Sequence, residues 1–457
     1  MSRRASWDEV TNRFAPDRLV EPAWRAARDQ SPATDILRGL TRPGTQLHVL
    51  VTGTVGTGKS TELLRMAEAR RDRDVVVFLD LGRHFRDVVG DERALQNVSS
   101  WEVVFLAGLS VVRVFDEILG QKVPTALLDD LASAWKRLAQ ATDVKQPLQV
   151  DIGGLAKGMF VLGAGVAPAL GITGVALAAT TAGLAVLKEV AGAAKWNLPI
   201  GTKKKVVADQ EEAPQSMLQA VNTIIGHVQT TTGARVLLVI DGLDRVLSFQ
   251  RAASLFIESE IIGRLEGAVI ATGPFALRSH PAAARIPRFD VQVLVNVPVL
   301  EKADPTRPGP GVEFFCEVFR KRTADLPSDL VPTAILETLA YYSGGRARDF
   351  VKLVNAIADE AWHADADQAD QAMMSSVLDK ARRLLETGLD KGHIAVLQAI
   401  ADDPLRELPR DPTARELLEY GHLLPYPNES VWYFPHPHLM LHKVRLKEAG
   451  SSSSQAR

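Results

Sequence analysis

Short apolar runs alternate with longer amphipathic segments over roughly the first 300 residues of the chain. The apolar runs predict buried strands, and residues 100–120 carry apolar positions at helical spacing. Strands that alternate with helices predict an α/β domain with a parallel sheet. The predicted strands are His48–Val51, Asp74–Leu81, Val236–Ile240, Ala268–Pro274 and Gln292–Val299.

Beyond a stretch rich in Pro and Gly at residues 300–310, the pattern becomes helical. Two further helices and two short strands around Asn428-Glu429-Ser430 then predict a winged helix. The domains expected are a helical lead-in packed on the α/β domain, that domain, a helical lid, the winged helix and a disordered tail, at 1–35, 36–305, 306–384, 385–446 and 447–457. The helices predicted after the α/β domain are Phe314–Arg322, Pro332–Tyr341, Asp349–Trp362, Asp390–Ile400 and Thr413–Tyr420.

A glycine-rich loop separates the first predicted strand from the helix that follows it. The loop has the pattern G-x-x-x-x-G-K-S, in which glycines allow successive backbone N–H groups to point at one anion. Lys59 supplies a cation for the outer phosphates of a nucleotide, and the Ser60 hydroxyl is a hard ligand for Mg²⁺. We therefore expect ATP or ADP with Mg²⁺ as cofactors. The residues expected to contact the nucleotide are Gly53, Thr54, Val55, Gly56, Thr57, Gly58, Lys59, Ser60 and Thr61.

Three polar residues follow the later strands where a sheet of this kind binds ligands. Asp241 ends the strand 236–240 and is expected to hold Mg²⁺ with Ser60. Asp244 is expected to orient the attacking water, and Thr272 to sense the γ-phosphate. The alternative is that Asp241 and its neighbours only end a strand in a turn, and that Thr272 is an ordinary strand cap.

Two arginines follow a pair of glycines inside the predicted lid. Gly344-Gly345 comes directly before Arg346, and Arg348 lies two residues further on. A guanidinium placed at such a corner can reach the phosphates and report whether the γ-phosphate is present. The alternative is a pair of solvated arginines beside Asp349.

Residues 155–194 form a hydrophobic segment, rich in Ala and Gly, within the insert expected at about 150–196. Only Lys157, Lys188 and Glu189 are charged in this segment. It is long enough for a membrane span, but Ser60 and Asp241 must meet at one metal, so the chain has to cross an even number of times. Small residues also favour close helix packing. A buried hairpin or protein interface and a membrane-inserting hairpin both remain open.

The bulk composition limits the choice of partners. The chain has 457 residues and a formal net charge of −2, so no global positive field favours nucleic acid. In the winged helix Arg415 is opposed by Glu416 and Glu419, which indicates a protein contact and makes nucleic acid an unlikely partner. Cys316 is the only cysteine, and the N-terminus lacks an apolar signal segment, so we expect a cytoplasmic location with possible membrane association.

The loop 53–60, the sequence Asp241-Gly242-Leu243-Asp244, Gly344-Gly345-Arg346 and the winged helix follow one another in a familiar order. With these motifs the chain resembles the signal-transduction ATPases with numerous domains (STAND). It is also similar to the origin-recognition branch of the AAA+ ATPases. The STAND resemblance implies an ATP-dependent switch that is closed with ADP and opens with ATP to self-assemble or to bind a partner protein.

The resemblance also assigns roles and shows departures. It implies that Lys59, Ser60 and Asp241 bind phosphate and metal, that Asp244 serves the water, and that Arg346 or Arg348 is the lid sensor. Gly242 and Arg245 stand where relatives carry acidic residues, which indicates slow hydrolysis. Two other classes remain as alternatives, a membrane-associated KAP-type NTPase and an origin-type DNA-binding ATPase.

Overall fold

The structure is a computed structural model in which two compact units are described. It describes residues 2–141 apart from 17, 19, 30 and 43–45, the pair 161–162, and residues 212–446 apart from 279–285 and 428–430. One unit, called here the sheet unit, comprises Pro32–Thr52 and Glu62–Val293. The other, the lid unit, comprises Met1–Ser31, Gly53–Thr61 and Leu294–Arg457. The glycine-rich loop therefore groups with the helical C-terminal part of the chain.

The sheet unit is built on six strands in the order β3-β2-β4-β5-β1-β6. Five of them run parallel, and the short β3 pairs antiparallel with β2 at one edge. The register pairs Asp80 of β2 with Asp241 of β4, and Ile240 with Ala271 of β5. The strands are β1 (His48–Gly53), β2 (Val75–Asp80), β3 (Val161–Leu162), β4 (Val236–Asp241), β5 (Ala268–Pro274) and β6 (Asp290–Val293).

Helices cover the sheet, and the middle of one of them is apolar on every side. The helices in this part of the chain are α2 (Ala33–Leu40), α3 (Lys59–Arg70), α4 (Leu81–Arg83), α5 (Ser100–Arg113), α6 (Thr125–Ala141), α7 (Glu212–Thr232) and α8 (Phe249–Phe256). All residues of α5 are buried, because it packs on β2 and is covered by α7. Gly108 permits this approach, since a Cβ there would lie 2.7 Å from Val221. Phe105 stacks on Trp135 of α6 with ring centroids 4.2 Å apart.

Several one-turn segments connect these elements. A π-helical turn follows α4, and another follows α5, which is why the helix predicted over 100–120 ends early at Arg113. The short turns are Pro22–Trp24, His84–Val89, Glu92–Asn97, Val114–Ile118, Leu243–Arg245, Ile262–Arg264 and Phe275–Leu277.

The lid unit consists of helices and one two-stranded ribbon around its own apolar core. Its elements are α1 (Arg3–Arg13), α9 (Gly311–Arg322), α10 (Thr333–Tyr342), α11 (Ala347–His363), α12 (Gln371–Glu386), α13 (Lys391–Asp402), α14 (Pro412–Glu419), β7 (Leu423–Tyr426), β8 (Trp432–Pro435) and α15 (Pro437–Met440). Helices α13 and α14 pack together and against the antiparallel ribbon, as expected for the winged helix. The predicted turn 428–430 lies outside the described residues.

The N-terminal helix α1 packs on helix α11 of the lid unit, whereas residues 1–35 were expected to pack on the α/β domain. Trp7 and Phe14 are fully buried in the core of the lid unit. The indole N–H of Trp7 donates to Ala366 O at 2.8 Å, and Phe14 meets Phe350 of α11 edge to face with centroids 6.4 Å apart. The apolar face of α1 covers a face of α11 that would otherwise be exposed to water.

The last predicted strand is also shorter than expected. β6 ends at Val293, and the segment 294–299 instead runs past the lid, where the Val297 N–H donates to Gly345 O at 3.0 Å. Pro298 has no N–H to donate to a sheet, which favours this exit from the strand. Alternating apolar positions were therefore a signal of burial but not of strand pairing.

The hydrophobic segment 155–194 lies outside the described residues, apart from the two that form β3. The tail 447–457 lies outside them as well. Within the described ranges, no helix has both the length and the apolar character needed to span a membrane.

Candidate functional site

The loop after β1 folds back on itself in the way that its glycines require. Gly56 and Gly58 have φ of +92° and +97°, a region that side chains disfavour. At Gly53 a Cβ would lie 2.5 Å from the carbonyl oxygen of Leu294. The Thr57 hydroxyl closes the turn by donating to Thr54 O at 3.0 Å. The loop ends at Lys59, where α3 begins, so the positive end of that helix lies at the loop.

Lys59 lies over the loop with its ammonium buried. Its Nζ donates to the carbonyl oxygens of Gly53 and Thr54, both at 2.8 Å, and the residue is only 3% exposed. A carbonyl oxygen is a weaker partner for an ammonium than an anionic phosphate oxygen. This placement therefore leaves the cation poised at the loop.

Two residues that the sequence analysis did not single out also hold the loop. Arg28 Nη1 donates to Thr57 O at 2.7 Å, and its Nη2 donates to Val295 O. The Thr54 hydroxyl donates to Asn296 Oδ1 at 3.2 Å, and Asn296 is fully buried. Arg28 and Asn296 are 29 and 242 positions away along the chain from the loop residues that they contact, so no local pattern points to them.

Arg346 connects the loop to helix α11. Its guanidinium donates from Nε and Nη2 to Val55 O, at 3.0 and 2.7 Å, and its Nη1 lies 2.9 Å from Asp349 Oδ2. Arg348 meets the loop through its backbone, since its N–H donates to Gly56 O at 3.1 Å. The structure therefore brings both predicted lid residues to the loop, but only Arg346 does so with its guanidinium.

The corner that carries Arg346 depends on the glycine before it. Gly345 has φ of +78°, and a Cβ there would lie 2.0 Å from Val297 O, inside any allowed contact. Gly421 gives space on the other side, because a Cβ would lie 2.5 Å from Arg346 Nη1. The guanidinium also lies near the backbone of Gly56, where a Cβ would lie 3.5 Å from its Nε and Nη2.

Asp349 extends this contact to the last part of the chain. Its Oδ2 lies 3.7 Å from His436 Nε2, just after β8, and His436 is 2% exposed. Burial acts to raise the pKa of Asp349, but Arg346 and His436 outweigh it and hold the pKa well below its usual range. The Tyr426 hydroxyl of β7 donates to Gly344 O at 2.9 Å. The loop, α11 and the winged helix are therefore linked by polar contacts within one unit.

Of the three histidines near the end of the chain, His436 and His438 are buried in packing. His436 and His438 stack with ring centroids 5.1 Å apart, and Tyr342 stacks on His438. Burial lowers the pKa of His438 to about 3, so this ring is neutral. His442 is largely exposed and lies 3.5 Å from Glu386.

In the sheet unit, the predicted polar residues lie at the carboxyl ends of neighbouring strands. Asp241 is 4% exposed, and its Oδ1 accepts the Gly242 N–H at 2.8 Å. Thr272 is fully buried, and its hydroxyl has no hydrogen-bond partner among the described residues. The parallel register brings the ends of β4, β5 and β1 to the same edge, with Asp244 in the turn after β4. A buried hydroxyl with no protein partner suits a ligand at this edge.

Each of the two units, taken by itself, carries donors of the kind that a magnesium nucleotide needs. The loop offers backbone N–H groups and an ammonium for phosphate, and Ser60 and Asp241 offer the hard oxygen ligands that Mg²⁺ prefers. Asp241 ends a strand and Ser60 begins a helix, which holds each ligand on a rigid element.

No protein-family model matches the sequence, and no curated protein matches it. Several solved structures are similar to this chain at low sequence identity. The Aeropyrum pernix ORC1 protein in complex with DNA is 11% identical over 93% of both chains, with a TM-score of 0.41. The Aeropyrum pernix ORC2 protein in its ADP form is 11% identical over 94% of both chains, with a TM-score of 0.40. Drosophila ORC bound to DNA is 10% identical over 87% of this chain and 72% of that chain, with a TM-score of 0.37.

The class of protein follows from the parts described above. A parallel sheet with the phosphate-loop motif after β1 and an acidic residue at the end of β4, followed by a helical lid and a C-terminal winged helix, makes the α/β fold of a P-loop NTPase. One expectation is corrected by the comparison. Two of the three similar structures are DNA complexes, so the prediction that nucleic acid is an unlikely partner is withdrawn. The acidic residues on which that prediction rested lie on α14, so they bear on one helix and not on the other surfaces of the protein.

Asp349→Asn should destabilise the lid unit, because Arg346 and His436 would lose the carboxylate between them. We expect a loss of about 3 kcal/mol, the lower end of the range for removing one partner of a buried ion pair. Asp359→Asn, on the same helix but 64% exposed beside His363, should cost less than about 0.5 kcal/mol. Thermal unfolding of both variants measures the difference, and equal losses would contradict the account of Asp349.

Proposed function

We propose that the chain is an ATP-binding, slowly hydrolysing ATPase that acts as a nucleotide-dependent switch. The observation that carries this proposal is the contact between Arg346 and the carbonyl of Val55, because it ties the conformation of the phosphate loop to the lid. An isolated nucleotide store would need no such link. The proposal extends to self-assembly or the control of a partner protein.

The loop residues would bind and report the nucleotide by exchanging acceptors. Residues Gly53 to Thr61 would wrap the phosphates, and Lys59 would leave the carbonyls of Gly53 and Thr54 for phosphate oxygens. Arg346 has a weaker acceptor in Val55 O than it would have in a phosphate oxygen. A shift of Arg346 would also disturb Asp349, and with it His436. The lid and winged helix would in this way respond to the nucleotide.

The residues of the sheet edge would serve hydrolysis. Asp241 and Ser60 would hold Mg²⁺, which when bound neutralises charge on the phosphates, and this pairing rests on the order of the motifs along the chain. Asp244 would orient the attacking water, and the buried hydroxyl of Thr272 would sense the γ-phosphate. Gly242 cannot serve as a base and Arg245 carries the opposite charge, which supports slow turnover.

Lys59→Ala should abolish nucleotide binding and any nucleotide-dependent change in size, since the loop would lose its only mobile cation for phosphate. Size-exclusion chromatography with light scattering would be run with ADP and with a non-hydrolysable ATP analogue, with and without detergent. The wild-type protein should differ between the two nucleotides. Lys136→Ala, which removes an exposed lysine from α6, should behave like the wild type.

A change in assembly that persists in Lys59→Ala would contradict the switch. A turnover of tens per second would contradict the slow ATPase. A change seen only when detergent is absent would favour the membrane-associated alternative, which depends on residues 155–194.

A second candidate is an origin-type DNA-binding ATPase. The ATPase core, the helical lid and the winged helix follow one another along the chain. This order fits the DNA-binding branch of the fold as well as it fits the switch. With a net charge of −2, DNA contact would have to come from local basic patches.

If this candidate holds, the protein should bind a labelled DNA duplex with an affinity that falls steeply with salt. Each phosphate neutralised adds about −0.9 to the slope of log K against log salt concentration. Fluorescence anisotropy with ADP and with the ATP analogue measures it, and Lys59→Ala shows whether binding depends on nucleotide. No anisotropy change at 50 mM salt would exclude the DNA-binding candidate and leave the switch standing.

A further inference from the structure

Arg245 lies at the edge of the sheet where Asp241 ends β4. Its guanidinium rests on Gly82, since a Cβ there would lie 2.8 Å from Nη1 and 2.9 Å from Cζ. Gly82 in turn lies under Gly242, whose own Cβ would come within 2.7 Å of the Gly82 nitrogen. The short helix α4 and the turn after β4 are therefore packed closely enough to leave one place for this side chain.

Two residues of the turn Glu92–Asn97 hold Arg245 in that place. The guanidinium pairs with the Glu92 carboxylate, and three quarters of the arginine side chain is shielded from solvent. Gln96 binds the backbone on either side of Val246 with both ends of its amide. Its Nε2 donates to Arg245 O, and its Oε1 accepts the Leu247 N–H at 2.9 Å. The arginine is thus a built feature of the edge and not a solvated surface residue.

The charges around the guanidinium are those of the candidate metal edge. Burial alone would lower the pKa of Arg245, but the negative charges of Asp244, Asp80, Glu92 and Asp241 outweigh it and raise the pKa. Asp80 and Asp241 are register partners on adjacent strands, so two carboxylates share this edge. A fixed positive charge beside them competes with any other cation that they attract.

We propose that Arg245 is a positioning residue that acts as an internal counter-cation, weakening the hold of the Asp241 edge on Mg²⁺ and so setting the Mg²⁺ requirement for nucleotide retention. Glu92 and Gln96 keep it in place. This inference rests on the proposed nucleotide site and deepens it, because it names a residue that sets how tightly that site holds Mg²⁺. It concerns metal affinity and not the folding of the loop.

The test is the concentration of free Mg²⁺ that half-maximally slows release of a fluorescent ATP analogue from the full chain. Arg245→Gln should lower that concentration by about three- to tenfold, as expected for the loss of one nearby, partly screened charge. Arg245→Lys keeps the charge and should stay within about twofold of the wild type. Arg251→Gln makes the same charge change at an exposed site on α8 and should leave the value unchanged.

A fourth variant moves the guanidinium without removing it. Gly82→Ala places a methyl group where the tip of Arg245 now lies, and the flexible side chain yields more easily than backbone. It should lower the Mg²⁺ requirement in the same direction as Arg245→Gln. If Arg245→Gln fails to fold, Gly82→Ala and Arg245→Lys still decide the matter.

The outcomes separate this inference from the proposed function. An unchanged Mg²⁺ requirement in Arg245→Gln, or equal shifts in Arg245→Gln and Arg251→Gln, would overturn the role of Arg245 while nucleotide binding stands. Failure of the wild-type protein to bind the analogue at any Mg²⁺ concentration would instead overturn the proposed function itself.

Discussion

The guanidinium of Arg346 bridges a carbonyl of the glycine-rich loop and the carboxylate of Asp349, and the rest of the lid unit depends on this bridge. On one side, Val55 belongs to the segment that the motif dedicates to phosphate. On the other side, Asp349 faces His436 at the end of the ribbon β7–β8. Because the guanidinium lies close to the backbone of Gly421 and Gly56, the side chain has few alternative positions. A ligand that offers it a better acceptor must therefore act on three segments at once.

Charge has a different role at the end of β4. Three carboxylates and one guanidinium, those of Asp80, Asp241, Asp244 and Arg245, lie along one edge of the sheet. Carboxylates gathered at such an edge attract a divalent cation, and a guanidinium among them reduces that attraction. The slow turnover proposed above would follow from the same electrostatic arrangement that holds the arginine in place. The contact of Arg346 with the loop belongs to the lid unit, and the charges around Arg245 belong to the sheet unit.

The parts of the fold predicted from sequence are those with local causes. Buried strands, the glycine-rich loop and the lid helices follow from runs and periodicities within about 20 residues. The packing partner of the N-terminal helix, α11, was not predicted. The apolar face of this helix indicates that it is buried, but it does not indicate which part of the protein covers it. The end of β6 was overextended because burial at 294–299 comes from the lid and not from a neighbouring strand. Arg28, Asn296 and His436 were missed as loop or lid partners, since only the folded chain brings them there.

The most direct measurement of the central claim is hydrogen–deuterium exchange of peptides covering residues 343–352, with and without a magnesium ATP analogue. The Arg348 N–H now donates to Gly56 O, so its exchange reports the contact between loop and lid. We expect nucleotide to change exchange in these peptides in the wild-type protein and to leave it unchanged in Lys59→Ala. Bound nucleotide with unaltered exchange at 343–352 would contradict the claim that the loop signals to the lid through Arg346.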